Sequence, residues 1–354
     1  MIGRYRGLGL LVLAVVSVLG LAACSSSSAD DGPEDSQPVT LMLNWTPNAH
    51  HVGIYVAEAK GWYDEAGIDL TVIEPAQSGV EQAVASGAAQ IGMAQAESLL
   101  PARAAGVPVV SVATVLPVND SSLFALASDG IDRPKDLEGK RYGGFGGALE
   151  TEIISRLVTC DGGDPGLVDF VNLGNVDYLA GLEADQFDVA WVFSGWDALR
   201  ASEIEGAEIS EIRFADWLDC IPNWYTPLFL TSEGELSGDP ELVRDFLAAT
   251  TRGYDYAVEY PDEAASLLTE QVPELDEALV EAAVRYYAPL FRADGQQWGT
   301  QESDTWKRFA DFLADAGMLQ TESDQTDQTP TDTEADFAES AYSNDYLPGA
   351  GTAP

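Results

Sequence analysis

Asn44, Trp45, His50 and Tyr55 gather in one short stretch, where an apolar strand at 39–43 runs into a polar, aromatic turn and then a helix. An amide with donor and acceptor, an imidazole and two aromatic rings suit a flat ligand that is stacked on its faces and hydrogen-bonded along its edge. In open α/β proteins ligands sit at such turns, because strand carboxyl ends and helix N–H groups converge there. For Asn44 the alternative is a local turn residue. A second cluster is Gly143, Gly144, Phe145, Gly146 and Gly147, with Glu150 just inside the helix that follows. Bare N–H groups at that turn can hold an anion or a carbonyl oxygen. Glu150 has two readings: a carboxylate stabilised by the helix dipole, or a charge-assisted partner for a ligand's amino group and ring nitrogen. Trp191, Trp196 and Tyr225 are ring-stacking candidates at other turns, each equally suited to an ordinary core, and Asp197 is a second carboxylate candidate. Asn48 is placed to cap the helix that begins at the histidines, of which one is expected to face the ligand and the other solvent; the alternative is that both serve only as surface or packing residues.

The elements that must position these residues alternate along the chain. Val52, Tyr55, Val56, Ala59 and Tyr63 share one helical face, and Gly61 and Gly67 mark the helix end and the turn after it. A strand is expected around 68–72, a helix at 80–85, a strand at 90–94, a helix at 97–105 and a long β-branched run at 107–116. From Phe124 onward a second unit repeats the pattern, with a helix at 148–159, a strand at 168–173, a helix at 176–183 and a buried strand at 187–193. A strand near 226–231 returns to the first unit, and helices at 240–260, 261–272, 275–287 and 301–316 complete the body. Repeated βα alternation implies largely parallel sheets covered by helices. One unit inserted in another, with crossovers near 123–127 and 227–231, makes a cleft with a hinge.

Composition narrows the partners. The chain of 354 residues carries a formal net charge of −42. That argues against nucleic acid, anionic membrane surfaces and polyanionic substrates. Arg4 and Arg6 precede an uncharged apolar run at 8–21, and Leu21-Ala22-Ala23-Cys24 forms a lipobox. This reads as a lipoprotein signal peptide at 1–24, cleaved so that Cys24 carries a lipid such as palmitate; the alternative is a plain secretory signal with an incidental cysteine. Residues 25–38 read as a flexible tether. The expected lobe I comprises 39–125 and 227–320, with lobe II at 126–226. An acidic, disordered tail is expected at 321–354, although Phe337, Tyr342, Tyr346 and Leu347 offer docking side chains. Cys160 and Cys220 remain as an even pair in an oxidising compartment, so either a disulfide or two separate buried thiols fits. Two adjacent histidines and scattered carboxylates have no metal-ligand spacing, so no metal is expected.

Four motifs carry a family resemblance: Leu43-Asn44-Trp45-Thr46-Pro47-Asn48; Tyr142-Gly143-Gly144-Phe145-Gly146 with Glu150; Trp191-Val192-Phe193-Ser194-Gly195-Trp196-Asp197; and Tyr225-Thr226-Pro227 leading into Leu230-Thr231-Ser232-Glu233. Together they span most of the body. The chain resembles the substrate-binding proteins of ABC importers for thiamine pyrimidine precursors, a family that includes the fungal thiamine pyrimidine synthase and has more distant riboflavin, sulfonate and nitrate binders. The resemblance implies an α/β, two-lobed periplasmic-binding-protein fold of type II, hinged at the two crossovers. It implies a membrane-anchored, extracytoplasmic monomer that serves an ABC permease and ATPase, needs no cofactor and is not an enzyme. The aminopyrimidine ligand, of formylaminopyrimidine or hydroxymethylpyrimidine type, is expected at Asn44, Trp45, His50, Tyr55, Gly144, Phe145, Gly146, Glu150, Trp191, Trp196 and Tyr225. The family pattern selects His50 over His51.

Phosphate-handling enzyme relatives carry a lysine in the glycine turn; this chain has none, which favours a neutral or zwitterionic ligand over a phosphate ester. Few lysines or arginines near these carboxylates also disfavour sulfonate or nitrate. The synthase reading requires a PLP-binding lysine and a reactive histidine, positions that match Ala94 and Ser98 here, and a cysteine-rich segment near 222–229, which contains no Cys. Riboflavin capture stays open, because stacking aromatics also suit an isoalloxazine ring.

Overall fold

The computed structural model describes residues 36–75, 79–174, 176–319 and 334–350. The lipobox with Cys24 and most of the expected tether lie outside them. Strand β1 (Gln37–Met42) starts two residues earlier than its apolar pattern suggests. The chain continues through α1 (Val52–Ala59), α2 (Trp62–Glu65), β2 (Ile68–Ile73), α3 (Val80–Ala85), β3 (Ile91–Ala94), α4 (Ala96–Ala104) and β4 (Val109–Thr114). It then crosses to β5 (Ser121–Leu126), β6 (Arg141–Gly144), α5 (Ala148–Cys160), β7 (Asp169–Asn172), α6 (Tyr178–Glu183), β8 (Val189–Phe193) and β9 (Ile209–Arg213). It returns in β10 (Leu228–Ser232) and finishes with α7 (Glu233–Gly238), α8 (Pro240–Glu259), α9 (Pro261–Gln271), α10 (Glu277–Tyr287), α11 (Ser303–Asp315) and α12 (Glu334–Ser340).

The strands form two five-stranded sheets, in the orders β2-β1-β3-β10-β4 and β7-β6-β8-β5-β9. In each sheet four strands run one way and one opposes them: β10 is antiparallel to β3 and β4, and β5 is antiparallel to β8 and β9. The opposed strand is in both cases the first that the chain makes after crossing. The chain leaves each sheet at the carboxyl ends of the parallel strands and enters the other sheet at the matching end, so the entering strand must run backwards. The central strand β3 and the edge strand β4 are buried at every position, as strands covered on both faces should be.

The first sheet packs against α1, α8 and α10 through Leu41, Val52, Phe229, Phe246, Tyr254 and Val284. Helices α1 and α8 meet so closely that a Cβ on Gly253 would lie 1.9 Å from the Gly53 carbonyl oxygen, which only glycine avoids. The second sheet packs Tyr142, Ile153, Leu157 and Val189 on one face and Phe124, Leu182 and Phe187 on the other. Cys160, at the end of α5, is joined to Cys220 by a disulfide with a Cα–Cα separation of 5.7 Å.

The C-terminal stretch differs from its polar composition. Residues 334–350 dock on the body rather than forming a disordered tail. Ser111 N–H donates to the Ala341 carbonyl (2.9 Å), Ser343 N–H donates to the Ser111 carbonyl (2.8 Å), and Tyr342 stacks on Trp306 at 5.7 Å. β4 is the edge strand of its sheet, and these contacts use its free backbone groups. Among the described residues no helix is long and apolar enough to cross a membrane.

Candidate functional site

A cleft of about 490 Å³ opens at the carboxyl ends of the parallel strands of both sheets. From the first sheet, β1 delivers Asn44, Trp45, Asn48 and His50, and β3 delivers Glu97 at the start of α4. From the second sheet come Phe145, Gly147, Leu149 and Glu150 around the glycine turn, Asp177 and Tyr178 at α6, and Trp191, Phe193, Trp196, Asp197 and Arg200 beyond β8. Trp45 and Phe145 keep about half of their surface open, 48% and 50%. Exposed aromatic rings in a cleft are what a stacked ligand would cover.

The β1 turn is wired by the second histidine. Asn48 Oδ1 accepts from His50 N–H (2.9 Å), capping a short 3₁₀ turn. The His51 Nδ1 accepts from Asn48 N–H (3.1 Å), so His51 carries its proton on Nε2 and donates to Asn44 Oδ1 (2.9 Å). That bond takes the acceptor of the Asn44 amide and leaves its N–H₂ for other partners. Contrary to expectation, His51 does not face solvent; it is fully buried. His50 lies between Tyr287 (ring centroids 4.4 Å) and Phe193 (5.2 Å), and its Nε2 is buried without a partner. Burial pushes His50 down to about 3; burial and then the neighbouring His50 push His51 down to about 3, so both rings are neutral.

The glycine turn differs most from its sequence reading. Its N–H groups are not bare. Glu150 Oε2 accepts from Gly147 N–H (2.9 Å), both carboxylate oxygens accept from Phe145 N–H (3.1 Å), and Tyr142 Oη–H donates to Oε1 (3.1 Å). The carboxylate at the third helical position folds back on the residue before the helix, as in a capping box. Glu150 is thus the turn's own anion. Gly146 has φ +78°, and a Cβ there would meet the Asn172 amide at 2.7 Å; a Cβ on Gly144 would meet Glu150 at 2.5 Å. These two glycines shape the turn and do not line the cleft.

Two further expected residues lie elsewhere. Tyr55 packs into the lobe core from α1, whose residues from Val52 to Ala57 are all buried while Ala59 is exposed. Tyr225 is buried against Trp306, its hydroxyl accepting from Glu302 N–H (2.7 Å) and its carbonyl accepting from Ala96 N–H (2.9 Å) at the start of α4. It supports the cleft wall from behind. Asn44, Trp45, His50, Phe145, Glu150, Trp191 and Trp196 do line one cavity.

Glu97, Asp177, Tyr178 and Arg200 had no sequence signal beyond following a strand or loop, and Phe193 belonged to a family motif without being named as a site residue. Burial pushes Glu97 up to about 8, opposed in part by the Trp224 indole N–H beside it, and its Oε2 is buried without a hydrogen bond. Burial pushes Asp197 up to about 6. Arg200 pairs with Glu205 (2.7 Å) and Asp177 (3.3 Å) and is the one cation among the described residues that line the cleft. Residues 194–204 form wide π-helical turns, Ser194–Ala198 and Arg200–Ile204, which place Trp196, Asp197 and Arg200 on the cleft side. Among the described residues no group of three His, Cys, Asp or Glu side chains is placed to hold a metal.

The arrangement is a cleft between two sheets, walled by aromatic rings and edged by an amide, an imidazole, four carboxyl groups and one paired arginine. Its likeness to known proteins agrees. The Formylaminopyrimidine-binding protein of Halalkalibacterium halodurans is 27% identical over 311 residues, 86% of this chain and 92% of that protein. The 4-amino-5-hydroxymethyl-2-methylpyrimidine phosphate synthase of Legionella pneumophila is 33% identical over 255 residues, 72% of this chain and 79% of that one. A solved Candida albicans protein, described as showing the generic periplasmic binding protein structural fold, superposes with a TM-score of 0.59 at 15% identity, covering 87% of this chain and 96% of that chain. The two sheets, their crossovers and the cleft between them are that fold. The sequence model described as NMT1/THI5 like matches residues 48–264, and the chain belongs to this family.

Proposed function

We propose that this protein is the extracytoplasmic solute-binding component of an ABC importer, and that its cleft takes a thiamine pyrimidine precursor of the formylaminopyrimidine or hydroxymethylpyrimidine type. One observation carries the reading. The cleft joins stacking rings, Trp45, Trp191, Trp196 and Phe145, to an edge of neutral hydrogen-bonding groups, Asn44 and His50, while its single cation, Arg200, is already paired. A small, flat, uncharged heterocycle suits that combination; a sulfonate, nitrate or phosphate ester lacks a free positive partner. The size of the cleft, about 490 Å³, leaves room for one such ring and its substituent.

The same reading makes Cys24 the lipid anchor, the two lobes closing units, and a permease with its ATPase the partner. Turnover is not part of it. The positions matching the synthase's lysine and histidine are Ala94 and Ser98, in β3 and α4, and neither side chain can form an imine or supply an imidazole.

A thermal-shift panel of the hydroxymethyl, aminomethyl and formylaminomethyl pyrimidines, thiamine, riboflavin and taurine tests the proposal. A ligand at a hundredfold over its dissociation constant adds about 2.7 kcal/mol. One pyrimidine is expected to raise the unfolding midpoint well above the others. A shift with riboflavin or taurine alone overturns the ligand assignment, and pyrimidine formed from protein incubated with PLP, iron and oxygen overturns the binding-protein reading.

A further inference from the structure

Four carboxyl groups line the cleft: Glu97, Glu150, Asp177 and Asp197. Three are already engaged. Glu150 holds the glycine turn. Asp177 caps α6 at Ala180 N–H (3.0 Å) and pairs with Arg200. Asp197 is held by backbone N–H groups of its own turn. Glu97 differs, because its Oε2 is buried and makes no hydrogen bond, although the Trp224 indole N–H and the Glu97 backbone N–H stand near the carboxyl group. A buried carboxyl oxygen without a partner costs free energy, and a cleft that retains one is poised to satisfy it with a ligand. Its neighbour supports this. His50 Nε2 is the other buried, unpartnered polar atom lining the cleft. His50 follows β1 and Glu97 follows β3, and these strands pair in parallel, so both orphan groups project from adjacent carboxyl ends of one sheet. The Glu97 backbone is also firmly placed, since the Tyr225 carbonyl accepts from Ala96 N–H beside it and Ser98 hydrogen-bonds Glu81.

We infer that Glu97 is the specificity-determining residue of the cleft: its carboxyl group pairs with the amino group and the adjacent ring nitrogen of an aminopyrimidine through two hydrogen bonds, one donated by the acid and one accepted by it. The inference rests on the proposed pyrimidine ligand. The acid O–H donates to the ring nitrogen and the carbonyl oxygen accepts from the amino N–H. No bond is made or broken beyond these. A ligand lacking the ring nitrogen, or carrying a carbonyl in place of the amino group, leaves one half of the pair unmatched.

The proton makes binding depend on pH. The groups that face Glu97 are Glu81 on α3, which raises it, the Trp224 indole after β9, the neutral His50 ring, and across the cleft Glu150, Asp177, Asp197 and Arg200. With Glu97 raised to about 8, the free protein holds the proton at pH 7 and binding is insensitive to pH there. Above pH 8 the proton must be taken up on binding, so the dissociation constant rises by up to about tenfold per pH unit.

Titration calorimetry with 4-amino-5-hydroxymethyl-2-methylpyrimidine and its formylaminomethyl counterpart, between pH 6.5 and 9.5, decides the matter. The wild type is expected to bind evenly up to about pH 7.5 and to weaken beyond pH 8. In Glu97→Gln the amide offers a donor and an acceptor without a titrating proton, so the pH dependence above pH 8 disappears, whatever the affinity at pH 7. Glu97→Ala is expected to lose about ten- to a hundredfold at pH 7. Unchanged affinity in a folded Glu97→Ala, or a wild-type pH profile surviving in Glu97→Gln, overturns the role of Glu97 while leaving pyrimidine binding intact. A wild type that binds no pyrimidine at any pH overturns both this inference and the proposed function.

Discussion

Buried neutral histidines make the β1 turn a rigid part of the cleft wall. Protonating His51 would replace the acceptor that meets Asn48 N–H with a donor, and Asn44 would lose its fixed orientation. Each histidine falls from an unfolded value near 6.5 to about 3 in the fold. Because the folded state resists the proton that the unfolded state takes up, this stability is present above pH 6.5 and is lost as pH falls toward 3. His51→Gln removes one such group. Its urea unfolding free energy is expected to lie about 1–3 kcal/mol below wild type at pH 7. The gap should narrow by about 2 kcal/mol at pH 5, where the wild type has lost its His51 contribution. A gap that is the same at both pH values means that His51 is charged in the fold. Sequence reasoning located this pair and the cap at Asn48 but split the histidines between ligand and solvent. It could not see that one histidine orients the neighbouring amide, because that bond spans a turn whose path is set by the sheet below.

At the scale of elements, the glycine turn and α5 act as one unit. Gly144 and Gly146 let the backbone come close enough for Glu150 to collect the Phe145 and Gly147 N–H groups, and the carboxylate also sits at the positive end of the helix. Glu150→Gln is therefore expected to act mainly on stability. It should lower the ligand-free unfolding free energy by about 1–2 kcal/mol while changing pyrimidine affinity less than about threefold. Differential scanning calorimetry and ligand titration on the same preparation check both parts. Tenfold weaker binding at unchanged stability would return Glu150 to the ligand. The motif was legible, since Gly-rich turns before helices are a sequence signal; its occupant was not, because the same spacing serves an external anion or an internal one. The π-helical turns after β8 had no sequence signature, and neither did the use of 341–343 to cover the edge of β4.

Across the whole molecule the chain crosses twice between the sheets, and Asp120 stands at the first crossing. Its Oδ2 accepts from Gly195 N–H (2.9 Å) and from the Tyr287 hydroxyl (2.9 Å), and its Oδ1 accepts from the Tyr286 hydroxyl (2.8 Å). One carboxylate thus links α10, on the first sheet, to the turn after β8 on the second. The Cys160–Cys220 disulfide works at this scale too, since it closes a loop with a sequence separation of 60 residues. Replacing both cysteines by serine is expected to cost about 2–4 kcal/mol, largely by freeing the unfolded chain. Chemical unfolding of the variant beside the unreduced wild type measures it; equal stability would show that the bond adds nothing to the fold.

The sequence by itself determined the alternation of strands and helices, the insertion of one sheet unit within another and the aromatic turns, because apolar periodicity and turn residues act over a few neighbours; it missed β6 and β9. The four family motifs did so as well. Only the tertiary structure decided which side chains share the cleft. Tyr55 and Tyr225 are aromatic and near the right turns, yet packing against α8, α10 and α11 takes their faces into cores. Glu97 carries no motif at all. It became a site residue because β3 lies beside β1, more than forty residues away in the chain, and because the fold buries its Oε2 without a hydrogen bond. Burial and unmet hydrogen bonds are properties of a completed fold.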